Sequence, residues 1–297
     1  MTFNGTARNT VDHREDQAMK RIIHSACIVL LVIFSGCNDH TPAGGSGEAA
    51  APSPPPVQTP PPSQTLGCNT LSFAKTSDVD ALPGGVWYGS LIDCENNARY
   101  DYLTALVSED GRFRVIGENG HLLSGSLQTD GDTFYGNGVD FAASGIEYFS
   151  GPTTALFVQG SVLERNVLEG RWGTEWGFYG YFSFIYGQET YEKPISLDLL
   201  AGVWPSYYGE SIEGVWTIEA DGRFNGQDQS GCLQSGHLAL IDDRFSMLEV
   251  ELTVTGCELA GSYTGLAYRE ELVDWWDETI TLSVDDGQQA LRILLLL

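Results

Sequence analysis

The sequence predicts an all-β chain: two small antiparallel β-barrels in tandem, of about eight strands each counted turn to turn, behind an export signal and a proline-rich tether. Three observations carry this. Trp216, Ile218 and Ala220 alternate with Thr217 and Glu219, the period of two that a half-buried strand requires. Asp221-Gly222 then turns the chain, because glycine reaches positive φ at little cost, and Arg223-Phe224-Asn225 starts back. The same strand–turn–strand pattern appears upstream, in Tyr102–Val107, Glu109-Asp110-Gly111 and Arg112–Ile116, and no segment carries a helical apolar stripe of ten or more residues. Closure into barrels removes exposed sheet edges, with a pair of sandwiches as the alternative.

The N-terminal elements come first along the chain. Residues 1–18 are polar and of mixed charge, which export signals do not carry ahead of their basic start, so Met19 is the expected start. Lys20 and Arg21 precede an uncharged run, Ile22–Phe34, too short for a comfortable membrane span of ~20 residues. Residues 19–36 therefore read as a signal peptide. Residues 37–66 read as a tether. Eight of the twelve prolines lie in 38–66, including Pro54-Pro55-Pro56 and Pro60-Pro61-Pro62, preceded by Gly44-Gly45-Ser46-Gly47. Such a stretch buries too little apolar surface to offset chain entropy. In polyproline geometry it reaches up to roughly 90 Å, at ~3.1 Å per residue.

A weak internal repeat divides the rest into expected domains at 67–193 and 194–297, with Pro194 near the joint. Leu82-Pro-Gly-Gly-Val-Trp87 returns as Leu200-Ala-Gly-Val-Trp204, and Asp110-Gly-Arg-Phe113 returns as Asp221-Gly-Arg-Phe224. An ungapped shift then aligns Gly120 with Gly231, Gly125 with Gly236, Leu127 with Leu238, Asp132 with Asp243 and Phe134 with Phe245. Leu168-Glu-Gly-Arg-Trp172 is matched with Leu259-Ala-Gly-Ser-Tyr263.

The motif Phe34-Ser35-Gly36-Cys37 resembles the lipobox of bacterial lipoproteins. That resemblance implies a lipid on the Cys37 thiol, cleavage before it, and a cell-envelope location. Asn38 separates the cysteine from Asp39, so the resemblance implies the outer membrane rather than inner-membrane retention. Gly85-Val86-Trp87 and Gly202-Val203-Trp204 resemble the Gly-x-Trp opening of lipocalin-like (calycin) proteins. There the tryptophan closes one end of the barrel, which implies a structural floor at Trp87 and Trp204. The resemblance reaches the fold type and not the later lipocalin motifs.

Cysteine use agrees with export. Apart from Cys27 in the signal and Cys37, four remain: Cys68 and Cys94 in the first copy, Cys232 and Cys257 in the second. Three pairings exist, and only Cys68–Cys94 with Cys232–Cys257 keeps both bonds within domains. Zinc is disfavoured, because Cys-x-x-Cys is absent and histidines are few.

The chain carries 15 basic and 40 acidic residues, a net charge of −25. Nucleic-acid binding needs a basic face and is excluded as an expectation. Asp101, Glu249 and Glu251 interrupt any lipid-facing band, which disfavours a transmembrane barrel. Beyond the signal the histidines are His40, His121 and His237, and the last two do not align as a repeated site. Gly209-Glu-Ser211-Ile-Glu-Gly214 spaces its glycines wrongly for a nucleophile elbow. No phosphate loop or dinucleotide fingerprint appears. Asp78-Val-Asp80 and Asp130-Gly-Asp132 have the alternating carboxylates of calcium loops, but neither completes one. No metal, cofactor or catalytic residue is expected.

Trp172, Trp176, Tyr179 and Tyr181 belong to an aromatic run that continues to Tyr186. On a strand, half of such a run lines a core and half is left for a contact surface. The expected protein is a membrane-anchored, non-enzymatic binding or scaffolding module, with a cationic protein or a small ligand as partner. The alternative is a glycan hydrolase with a carboxylate pair, whose spacing no sequence reveals.

Overall fold

The computed structural model describes residues 73–95, 97–117, 120–146, 149–174, 177–208, 211–271 and 278–297. The signal, the tether, Cys37, Cys68 and Trp176 lie outside the described residues.

Eight strands build the first barrel: β1 (Gly85–Asp93), β2 (Ala98–Val107), β3 (Arg112–Ile116), β4 (Leu122–Asp130), β5 (Thr133–Ile146), β6 (Phe149–Leu163), β7 (Val167–Thr174) and β8 (Gly177–Tyr186). Each pairs antiparallel with the next, and β8 returns to β1, so the sheet closes. A short helix α1 (Gln188–Tyr191), Pro194 and a 3-10 turn (Leu197–Leu199) lead onward. The second barrel repeats the meander: β9 (Gly202–Tyr208), β10 (Ser211–Ile218), β11 (Arg223–Asp228), β12 (Leu233–Leu240), β13 (Met247–Thr255), β14 (Gly261–Glu271), β15 (Glu278–Asp285) and β16 (Ala290–Leu296). It closes where β16 meets β9. The architecture is two closed barrels, not two sandwiches.

Local chemistry explains the elements. Gly111 and Gly222 both sit at φ +85° in the β2–β3 and β10–β11 turns, a conformation that costs other residues strain. Glycines also have a packing role. Aromatic rings lie over glycines directly across the ladder: Phe113 on Gly125, Phe134 on Gly160, Phe182 on Gly170, Phe224 on Gly236. A Cβ at any of these glycines would fall 2.6–2.7 Å from the ring. The missing side chain makes room for a ring that a narrow barrel otherwise cannot hold.

The repeat holds in register through the fourth strands and then slips. Gly125 faces Gly138 on β5, while Gly236 faces Leu252 on β13, so the offset grows by three residues in the longer β12–β13 loop. The alignment of Phe134 with Phe245 is thereby corrected. Phe134 lines the first barrel's core, whereas Phe245 stacks on Tyr191 at 4.4 Å between the barrels. Trp172 and Tyr263 are not counterparts either: they stand on the seventh strand of one barrel and the sixth of the other.

Both barrels belong to one unit, Ser63–Leu297, and pack through their outer walls. Val86, Leu106, Ile116 and Phe141 of the first meet Met247, Leu266 and Tyr268 of the second. Arg112 reaches Glu249 at 2.5 Å and Arg114 reaches Asp285 at 3.0 Å. Burial pulls the Arg114 guanidinium below its usual range, and Asp285 opposes that shift. Burial raises the Tyr88 and Tyr191 phenols; Tyr88 donates to Glu270 across this contact, and Tyr191, on the connecting helix, donates to Glu109 of the first barrel.

Candidate functional site: the mouth of the second barrel

The two barrels are closed at one end in the same way. Trp87 and Trp204 are fully buried at the start of their first strands. Each indole N–H donates four residues back, Trp87 to the Pro83 carbonyl at 3.1 Å and Trp204 to the Leu200 carbonyl at 2.8 Å. A Cβ on Gly85 would lie 2.6 Å from the Trp87 ring nitrogen, so only glycine lets the chain pass. At Gly202 the same atom would sit at 3.9 Å, an ordinary contact.

At the other end the barrels differ. The first is sealed by its own aromatics. Trp172 is buried and donates to the Ile92 carbonyl at 3.2 Å. Tyr179 packs on the same core, its ring 6.5 Å from that of Trp172. The reading of Trp172 as a contact surface is therefore corrected: it belongs to the interior, while Tyr179, an extra residue at the ladder irregularity at Trp172/Gly173, is half-buried against the same core. Tyr181 is half-buried, between the buried Gly180 and Phe182. What remains inside is a cavity of about 40 Å³, walled by apolar side chains that include Leu91, Phe113, Leu127, Phe134 and Trp172.

The second barrel holds a cavity of about 120 Å³ with a polar rim. Trp216, Val254, Leu259, Leu291 and Ile293 supply its apolar wall, and Ser206, Glu213, Asp228, Ser230 and Gln234 its polar rim. Asp228 organises the rim from the end of β11. One carboxylate oxygen accepts from the Cys232 backbone N–H at 3.0 Å and the Ser230 hydroxyl at 2.6 Å; the other accepts from the Gln234 amide at 3.0 Å. The Gln234 carbonyl oxygen is buried without a hydrogen-bond partner among the described residues. The Cys232–Cys257 disulfide ties β12 to the turn after β13 beside this rim, with Cα atoms 5.0 Å apart. Cys94 is disulfide-bonded as well.

A fork in the sheet borders this cavity. Leu294 and Leu295 of β16 pair with Tyr207 and Ser206 of β9, but Ala290 and Leu291 pair instead with Ser150 and Phe149 of β6 in the first barrel. Between them, Arg292 and Ile293 have no ladder partner on that edge among the described residues. Pro205 has no N–H to donate and stands where the first barrel has Tyr88, paired with Ile185.

The other candidates have structural work. Asp130 pairs with Lys75 at 2.6 Å, Asp132 accepts from the Thr76 backbone N–H at 2.7 Å, and Asp80 accepts from the Gly131 N–H at 2.8 Å. These carboxylates latch the segment before β1 onto the β4–β5 turn. His121 lies 2.5 Å from Asp140, and His237 is 3.1 Å from the Asp221 carbonyl. Among the described residues no three His, Cys, Asp or Glu side chains gather into a metal site, and no described helix is long and apolar enough to cross a membrane.

Sequence reasoning missed Glu213 and Gln234. The available signal was a contrast: the aromatic run from Trp172 to Tyr186 has no counterpart in residues 278–297, which contain no aromatic residue. No protein-family model, curated protein or solved structure matches the chain.

Proposed function

We propose that the chain is a lipid-anchored module of the cell envelope, held through Cys37, that binds rather than catalyses, and that its second barrel holds the ligand. The observation that carries this reading is the polar-rimmed cavity of about 120 Å³ above a tryptophan-closed floor. Binding sites are concave and mostly apolar, with a few placed polar groups. Both oxygens of Asp228 are engaged by donors of its own loop, which supports a strut of the rim over a hydrolase acid. The lipobox-like motif and the long tether support the anchor, with the outer membrane as the proposed location.

The test is native mass spectrometry of the full-length protein after exposure to a small-molecule envelope extract. A bound mass is expected for the wild type and its loss in Ile293→Phe, which fills the cavity. No bound mass, or one indifferent to Ile293→Phe, overturns the reading. Mass spectrometry of the mature N terminus checks the anchor: any terminus other than Cys37 sinks it.

A further inference from the structure

We infer that the cavity of the second barrel takes a small organic cation, an aliphatic ammonium whose charged head is held between Glu213 and Ser206 and whose hydrocarbon body lies on the apolar wall. This rests on the binding role proposed for the same cavity and specifies the chemistry of its ligand.

Ser206 is the first anomaly that points there. It stands two residues after the floor tryptophan on β9, so its side chain turns inward as that of Trp204 does. It is only 9% exposed and lines the cavity, yet among the described residues its hydroxyl has no hydrogen-bond partner. A buried hydroxyl without a partner costs free energy unless something in the cavity answers it. Gly214 stands opposite on β10, and a Cβ there would lie 2.8 Å from the Ser206 hydroxyl oxygen. Glycine leaves that hydroxyl uncovered.

Glu213 is the second. The ladder slips between Ile212 and Gly214, so Glu213 and Gly214 together oppose Ser206. A bulge of this kind re-aims a side chain, and the half-buried Glu213 lines the cavity with Ser206. Its backbone carbonyl accepts from the Gln229 N–H at 2.7 Å, which pins the bulge. Its carboxylate has no partner among the described residues.

Donors and acceptors then decide the class. Three donors of the rim are spent within it: the Ser230 hydroxyl, the Gln234 amide and the Cys232 N–H all go to Asp228. What is left is the Glu213 carboxylate, which accepts, and the Ser206 hydroxyl, which serves either way. An anion would face Glu213, Asp228 and the field of a chain at −25, with one hydroxyl to hold it. An ammonium brings three donors and the opposite charge. A hard metal ion wants a shell of oxygens, but Asp228 is already engaged and much of the wall is hydrocarbon. The size sets the body: a cavity of about 150 Å³ takes benzene, so this one takes a short branched chain.

An NMR titration of the full-length protein with three probes of similar shape, isobutylamine, isobutanol and isobutyrate, tests this. The indole N–H resonance of Trp216, in the cavity wall, reports binding. Isobutylamine, protonated at neutral pH, is expected to bind about tenfold or more tighter than isobutanol, with isobutyrate weakest. Glu213→Gln should bring the amine down to the level of the alcohol and leave the alcohol unchanged, which also shows that the variant folds. Ser206→Ala should weaken the amine by less. Equal binding of amine and alcohol, tighter binding of isobutyrate, or a preference that Glu213→Gln leaves intact overturns the inference. Calcium that displaces the amine at lower concentration makes this a metal site and overturns it too. So does absence of isobutylamine binding. If the extract still yields a bound mass sensitive to Ile293→Phe, the binding role survives and only the ammonium falls.

Discussion

The two barrels share topology and floor yet differ in what fills them, and the difference lies in their last two strands. By register, Trp172, Phe182 and Phe184 of the first barrel correspond to Val284, Ile293 and Leu295 of the second. Three ring-bearing side chains become three aliphatic ones, and the interior goes from an apolar void of about 40 Å³ to a cavity of about 120 Å³ with a polar rim. The closing seams differ too. β1 and β8 pair continuously from Trp87↔Tyr186 to Asp93↔Gly180, whereas β9 and β16 meet only at Ser206↔Leu295 and Tyr207↔Leu294. The floor and the tight hairpins make the barrel; bulk on the closing strands decides whether it is a packed core or a container.

The strongest way to break this comparison is at the shared floor. Trp204→Ala and Trp87→Ala should each cost ~3–5 kcal/mol, the usual penalty for a large buried aromatic, with the lost indole hydrogen bond included. Chemical denaturation of each variant measures it. A tolerated Trp204→Ala beside a crippling Trp87→Ala would mean that the open barrel does not rely on its floor. The next effect sits at the rim. Cys232 and Cys257 close a loop with a separation of 25 residues. Replacing both with serine should cost roughly 3–4 kcal/mol in the chain-entropy model. Hydrogen exchange should localise the loosening to β12 and β13; uniform loosening of both barrels would contradict an independent rim.

Much of the fold was legible because it is local. The period of two around Trp216 and the Asp-Gly turns act over a few residues, and Gly111 and Gly222 take the positive φ those turns demand. The candidate site was not legible, because it is made by distant pairing. The fork exists because residues 290–291 choose residues 149–150 over β9, and nothing near either segment announces that choice. Trp172 misled for a related reason. Alternation places half an aromatic run inside, but the irregularity that also turns Tyr179 inward depends on the partner strand. The Asp130-Gly-Asp132 pattern looked like half a cation loop; its carboxylates instead hold a backbone segment 55 residues away.

A smaller effect sharpens the difference in filling. Ile293→Phe writes the residue of the first barrel into the second. Filling a void commonly stabilises by ~0.5–2 kcal/mol, so the melting temperature should rise slightly while ligand binding is lost. A destabilised protein that still binds would show that Ile293 borders the cavity without limiting it.

The smallest effect concerns the corner where the barrels diverge, the turn after the fourth strand. In the first barrel this turn carries Asp132, which the Thr76 hydroxyl and the backbone N–H groups of Thr76 and Ser77 hold at a pKa of about 2. In the second barrel the longer loop docks Phe245 on Tyr191 instead. A carboxyl depressed on folding contributes stability that is complete above its unfolded value, ~3.9, and lost as the pH falls through its folded value. The latch should therefore be intact at neutral pH and release between about pH 4 and pH 2. Because Asp132 is exposed to solvent, global stability should barely register the change. The Thr76 amide resonance reports it directly, with an expected midpoint near 2. At neutral pH, Asp132→Asn should weaken the same contacts and hasten tryptic cleavage after Lys75. A Thr76 resonance that titrates near 4, or a variant cleaved at the wild-type rate, would show that the carboxylate is not what holds this segment against the barrel.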